Sequence, residues 1–112
     1  MSITVESYGH SVILNLKGEL TEDTLAAVNQ VVERQFQDQD VTDMVLDMES
    51  VPFIDSNGLE YLLNLQDRLA ERSGQVKLLR CDENVRKILE ITHLESSFEM
   101  FKDVSEAVKA IS

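Results

Sequence analysis

The sequence predicts a small α/β sandwich: a mixed, mainly parallel sheet that opens with an N-terminal β-hairpin and is covered by about four helices. Three observations predict it. Strand-like runs alternate with stretches of helical spacing along the whole chain. The first seventeen residues instead alternate apolar and polar side chains around one turn, as a hairpin does. Met44-Val45-Leu46 with Met48 is a nearly continuous apolar run, as expected of a central strand buried on both faces. At 112 residues the chain suits a single domain spanning 1–112.

In the hairpin, Ile3 and Val5 alternate with polar neighbours, Tyr8-Gly9-His10-Ser11 reads as the turn, and Val12, Leu14 and Leu16 alternate again up to Gly18. Thr21 then stands where a helix cap would, with Glu22 and Asp23 in the first turn. Leu25, Val28, Val32 and Phe36 recur at helical spacing up to about Gln37. After the central strand the chain leaves through Glu49-Ser50-Val51-Pro52-Phe53-Ile54-Asp55. From Ser56, which is placed to cap it, an amphipathic helix carries Leu59, Leu62, Leu63, Leu69 and Ala70 and ends at Ser73-Gly74. Val76, Leu78 and Leu79 form a strand, and Asp82 caps a short helix bearing Val85, Ile88 and Leu89. Phe98, Met100 and Phe101 read as a short strand or tucked connection. Asp103 and Glu106 resemble a capping box for a last helix with Val104, Ala107, Val108 and Ile111.

Charge narrows the function. Ten Lys and Arg against 21 Asp and Glu give a net charge of −11. Such a surface repels phosphates, which argues against nucleic acid and against anionic membranes as direct partners. No apolar run approaches the roughly 20 residues of a bilayer span. The first residues lack the pattern of a secretion signal, and a lone cysteine, Cys81, fits a reducing compartment, so a cytoplasmic location is expected.

Candidate chemistry concentrates in Phe53-Ile54-Asp55-Ser56-Asn57-Gly58-Leu59, where a buried strand hands the chain to a helix. The simplest reading is a helix cap plus a small residue, Gly58, that leaves the surface around the hydroxyl open. A nucleophile elbow needs Gly two residues before the serine, and Ile54 stands there. Neither His10 nor His93 is spaced to serve as its base. An aspartyl-phosphate receiver could use Asp47, but the earlier strands supply no carboxylate pair to hold Mg²⁺. Asp47 therefore reads as a solvated strand-end residue. Cys81 has no partner at ligand spacing, so no metal or cofactor is implied.

Together, Gly18-Glu19-Leu20, Val45-Leu46-Asp47-Met48 and Ile54-Asp55-Ser56-Asn57-Gly58-Leu59 resemble the STAS domain family, most closely its free-standing bacterial members, the anti-sigma factor antagonists. The resemblance runs from the opening hairpin to the last helix. It implies a regulatory module of transcription rather than an enzyme. In such proteins the serine after the aspartate is phosphorylated by the partner, an anti-sigma factor that is also a serine/threonine kinase. The unmodified form binds that partner and frees a sigma factor, and a serine phosphatase restores it. By position the modified residue is Ser56, and Glu19, Asp55, Ser56, Asn57, Gly58 and Leu59 would meet the kinase. Thr21, Asn57, Glu60 and His93 depart from the family pattern, which often has Asp, a second hydroxyl, a small or apolar residue and Gly there. A STAS module that docks its partner constitutively, as a lipid-transport ATPase subunit or signalling scaffold, is the alternative.

Overall fold

The computed structural model describes residues 1–111, the side chains of Val108 and Ile111 excepted; these two expected stripe positions lie outside the described residues. Five strands form one sheet in sequence order: β1 (Ser2–Tyr8), β2 (Ser11–Lys17), β3 (Asp43–Ser50), β4 (Val76–Leu79) and β5 (Glu99–Phe101). β1 and β2 pair antiparallel through the hairpin, and every later pairing is parallel. Among the described residues three helices connect strands, α1 (Leu25–Phe36), α2 (Ser56–Ala70) and α3 (Glu83–Ile91), and a fourth, α4 (Val104–Ile111), follows β5. A 3₁₀ turn, Glu95–Ser97, leads into β5, so the tucked connection and the short strand both exist.

Strand side chains alternate between faces, and the core divides accordingly. Val12, Leu14, Leu16, Met44, Leu46, Met48, Val76 and Leu78 pack against α1, α2 and α3. Ile13, Val45 and Leu79 point the other way, where Ala107 of α4 and Phe101 cover them. β3 is thus buried on both faces over Met44–Met48, as its apolar run predicts. Asp47, expected to be solvated, is only 6% exposed. It lies on the α4 face, where its Oδ2 pairs with the Arg80 guanidinium and its Oδ1 accepts the Glu49 N–H at 3.1 Å. Arg80 also reaches Glu49 at 3.0 Å.

The first helix starts later than Thr21 suggests. Residues 21–24 form a turn in which the Thr24 hydroxyl donates to the Glu19 carbonyl at 2.8 Å and accepts the Thr21 N–H at 3.0 Å. The regular helix begins only at Leu25. In α2 the buried stripe is Gly58, Leu59, Leu62, Leu65 and Leu69; Ala70 is exposed and Leu63 only half-buried, because the stripe drifts with the 3.6-residue turn. Side chains from the end of α2 and the turn after it also close the C-terminus of α1. Arg72 donates to the carbonyls of Phe36, Asp38 and Val41, and Arg68 and Arg72 lie 4.0 and 4.8 Å from the centre of the Phe36 ring. Cations at a helix C-terminus satisfy carbonyls that have no partner within the helix.

Asp82 and Asp103 cap as expected, accepting from the Asn84 and Glu106 N–H groups. Both long α-turn exits use a left-handed residue that is not glycine. Ser73 has φ 62° and Gly74 donates back to Leu69, while His93 has φ 60° and Leu94 donates back to Leu89. Gly74 follows for a different reason: a Cβ there would meet the Thr42 carbonyl oxygen at 1.6 Å. His93 is the departure from glycine noted in the sequence, and it is exposed, with its backbone in the region that suits glycine. Replacing His93 with Gly is expected to stabilise the fold by about 0.5–1 kcal/mol, since the left-handed cost falls more than the unfolded chain gains in freedom. Denaturant unfolding of His93→Gly beside the wild type measures it.

Candidate functional site

The site forms at the carboxyl ends of β2 and β3, which run parallel and release their chains side by side. Backbone hydrogen bonds stitch the two exits together. Gly18 N–H donates to Ser50 O at 3.0 Å, Leu20 N–H to Phe53 O at 3.0 Å, and Asp55 N–H to Leu20 O at 3.2 Å. Leu20 and Ile54 form a parallel bridge, and both side chains are buried in the core. Two loops far apart in sequence therefore present one surface.

Asp55, rather than Ser56, caps α2. Its Oδ1 accepts the Gly58 N–H at 2.8 Å, and its Oδ2 accepts the Glu22 N–H of the neighbouring loop at 3.1 Å. These bonds favour the charged form. The Gly58 N–H, then that of Glu22, holds the carboxyl below the ordinary aspartate value against a smaller opposing effect of desolvation. The sequence reading places the cap on Ser56; extended backbone at Asp55 (φ −94°, ψ −178°) moves it one residue back.

Ser56 is consequently the first helical residue, and it is exposed. Its hydroxyl has no hydrogen-bond partner among the described residues. Gly58 does not open the surface as the sequence reading has it. It is buried, and a Cβ on it would meet the Leu20 carbonyl oxygen at 2.4 Å and Ile54 Cγ1 at 2.7 Å. Glycine is needed there because α2 presses its first turn directly on the other loop. Leu59 is also buried, at 8% exposure, and faces the core. Of the six residues expected to meet a partner, Glu19, Ser56 and Asn57 are exposed, Asp55 is half-buried, and Gly58 and Leu59 shape the surface from beneath.

Two features of this surface lie outside that set. Phe53 is 44% exposed between the buried Val51 and Ile54, three residues before the serine. No local pattern announces it: strand-like alternation from the buried Val51 would place Phe53 inside. Glu22, Asp23 and Glu60 are exposed as well. Neither segment that builds the site, residues 18–33 and 51–67, contains a Lys or Arg. The surface is acidic around the Phe53 ring and the Ser56 hydroxyl.

Residues 2–107 match the STAS domain. The chain belongs to the STAS domain family. Among curated relatives, a STAS-domain containing protein of Pseudomonas aeruginosa is 36% identical over 56 residues, covering 50% of this chain and 55% of the relative. The matched stretch thus spans about half the length of that relative. The anti-sigma F factor antagonist of Paenibacillus polymyxa is 23% identical over 94 residues, 84% of this chain and 80% of the relative. Among solved structures, the anti-sigma factor antagonist SpoIIAA in its unphosphorylated form superposes with a TM-score of 0.83 at 22% identity, covering 98% of this chain and 96% of that one. The phosphorylated form of the Bacillus cell fate determinant SpoIIAA gives 0.77 at 21% identity, covering 99% and 100%. The STAS fold is shared in full, including the antiparallel first pair and the four helices.

Two substitutions test how this STAS surface is held. Gly58→Ala is expected to lower stability by about 1–3 kcal/mol, because the atom it strikes is backbone and cannot swing away. Asp55→Ala is expected to destabilise at neutral pH. Because the folded-state pKa is depressed, the Asp55 contribution is complete above the unfolded value near 3.8 and is lost as pH falls through the lower folded value. Unfolding curves of wild type and Asp55→Ala should therefore converge in strong acid.

Proposed function

We propose that this chain is an anti-sigma factor antagonist that docks an anti-sigma serine/threonine kinase through the Ser56 surface and is switched off by phosphorylation at Ser56. The observation that carries the reading is the division of labour at the start of α2. Asp55 supplies the cap, so the Ser56 hydroxyl is exposed and spare. A hydroxyl used in the fold could not be modified without cost to the fold; this one can.

The switch follows from charge. A phosphate adds about −1.5 to −2 charge and three acceptor oxygens. The free N–H groups and dipole at the N-terminus of α2 tolerate a dianion, so the domain stays folded. Docking differs. The phosphate would sit beside the ionised Asp55 on a surface already rich in carboxylates, and a partner covering it would have to desolvate that charge. Burying a charge left unpaired costs about 2–5 kcal/mol. At about 1.4 kcal/mol per decade, affinity falls roughly thirty-fold to several thousand-fold. No large conformational change is required. A serine phosphatase acting on the exposed ester would reverse the switch in the cytoplasm.

Intact mass after incubation with ATP and a candidate serine kinase from the same genome tests the reading. One added phosphate is expected on the wild type and none on Ser56→Ala, while Ser56→Ala still binds the kinase. Ser56→Glu is expected to fold normally by circular dichroism and to bind at least about thirty-fold more weakly by calorimetry. A chain that binds but is never modified would be a constitutive docking module instead.

A further inference from the structure

We infer that β1 is the interface between two copies of this chain, pairing antiparallel with its own symmetry mate to form one continuous ten-stranded sheet. β1 is an edge strand of seven residues, paired among the described residues only with β2, so its outer side presents a row of backbone donors and acceptors without a strand partner there. Soluble proteins blunt such edges with charged side chains, proline, bulges or very short strands. β1 has a single charge, Glu6, and no proline or bulge: Ser-Ile-Thr-Val-Glu-Ser-Tyr is rich in strand-forming residues and pairs in unbroken register along its whole length. Exposed large apolar side chains concentrate here too. Met1, Val5 and Tyr8 are 36%, 38% and 38% exposed on or beside this strand.

Charge identifies the occupant. Between residues 2 and 17 the only Asp, Glu, Lys or Arg residues are Glu6 and Lys17, which cancel. The whole net charge of −11 is therefore carried by the rest of the chain. At physiological salt, interactions fade over about 8 Å. A neutral edge is the part of this acidic molecule that a second, equally acidic copy can approach.

Symmetry then fixes the register. A two-fold axis normal to the sheet keeps each residue on its own face, so opposed residues must have the same parity. Of the registers this allows, only the one centred on Val5 pairs all seven residues. It sets Val5 against Val5, Thr4 against Glu6, Ile3 against Ser7 and Ser2 against Tyr8 of the other copy. Centring on Glu6 would oppose two carboxylates directly, which is unfavourable. The Val5 register has no like-charge pair, and it leaves the surface around Ser56, which follows β3, outside the strand pairing.

Analytical ultracentrifugation of the full chain over a concentration series tests the inference, with the cross-strand pairs as probes. The wild type is expected to dimerise below about 1 mM. Val5→Lys, which opposes two ammonium groups, is expected to weaken dimerisation at least about tenfold, and Thr4→Lys, which faces Glu6 of the other copy twice, to strengthen it several-fold. Circular dichroism checks that both variants fold. A wild type that stays monomeric throughout the series overturns the inference and leaves the edge to an extended segment of another protein. Equal dimerisation of wild type and both variants overturns it as well, by placing the contact elsewhere.

Discussion

One carboxylate holds together the candidate site. Asp55 accepts the Gly58 N–H with one oxygen and the Glu22 N–H with the other, so it caps α2 and ties that helix to the loop after β2. Around it the backbone completes the join: Leu20 bridges Ile54, and the Leu20 carbonyl accepts the Asp55 N–H. The absence of a side chain at Gly58 is what allows this approach, since any Cβ would strike that same carbonyl oxygen. The constraint is steric and electrostatic at once.

Because these groups carry the structural demand, the neighbouring hydroxyl is released from it. Ser56 occupies a position that would ordinarily read as the cap, yet its hydroxyl has no hydrogen-bond partner among the described residues. A modification there acts on what the surface can meet rather than on whether the domain folds. The surrounding carboxylates of Glu19, Glu22, Asp23 and Glu60, with Phe53 exposed among them, favour a partner that brings positive charge and an apolar recess. The neutral β1 edge contrasts with this acidic end: the proposed partner surface would select by charge, the proposed edge contact by backbone pairing.

On the opposite face of the sheet Asp47 is fully engaged. Arg80 and the Glu49 N–H occupy its oxygens, and α4 covers the apolar residues next to it. A buried carboxylate in a charged pair is costly to disturb and is poorly placed to accept phosphate or hold a metal.

Composition and periodicity determined much about this protein. The order of strands and helices, the doubly buried β3, the caps at Asp82 and Asp103, and the location of the candidate surface at Asp55-Ser56 all follow from local patterns, because helical and strand spacing reflect which side chains must be inside. What depended on the neighbouring segment could not be read locally. Ser56 looks like the cap until the backbone angle at Asp55 and the Glu22 N–H assign the role to Asp55. Gly58 looks like an opening until the Leu20 carbonyl is found against it. Thr21 looks like a helix start until Thr24 closes a turn onto Glu19, and Asp47 looks solvated until Arg80 arrives from β4. Each was decided by a group at least three residues away, whose approach only the packed chain creates.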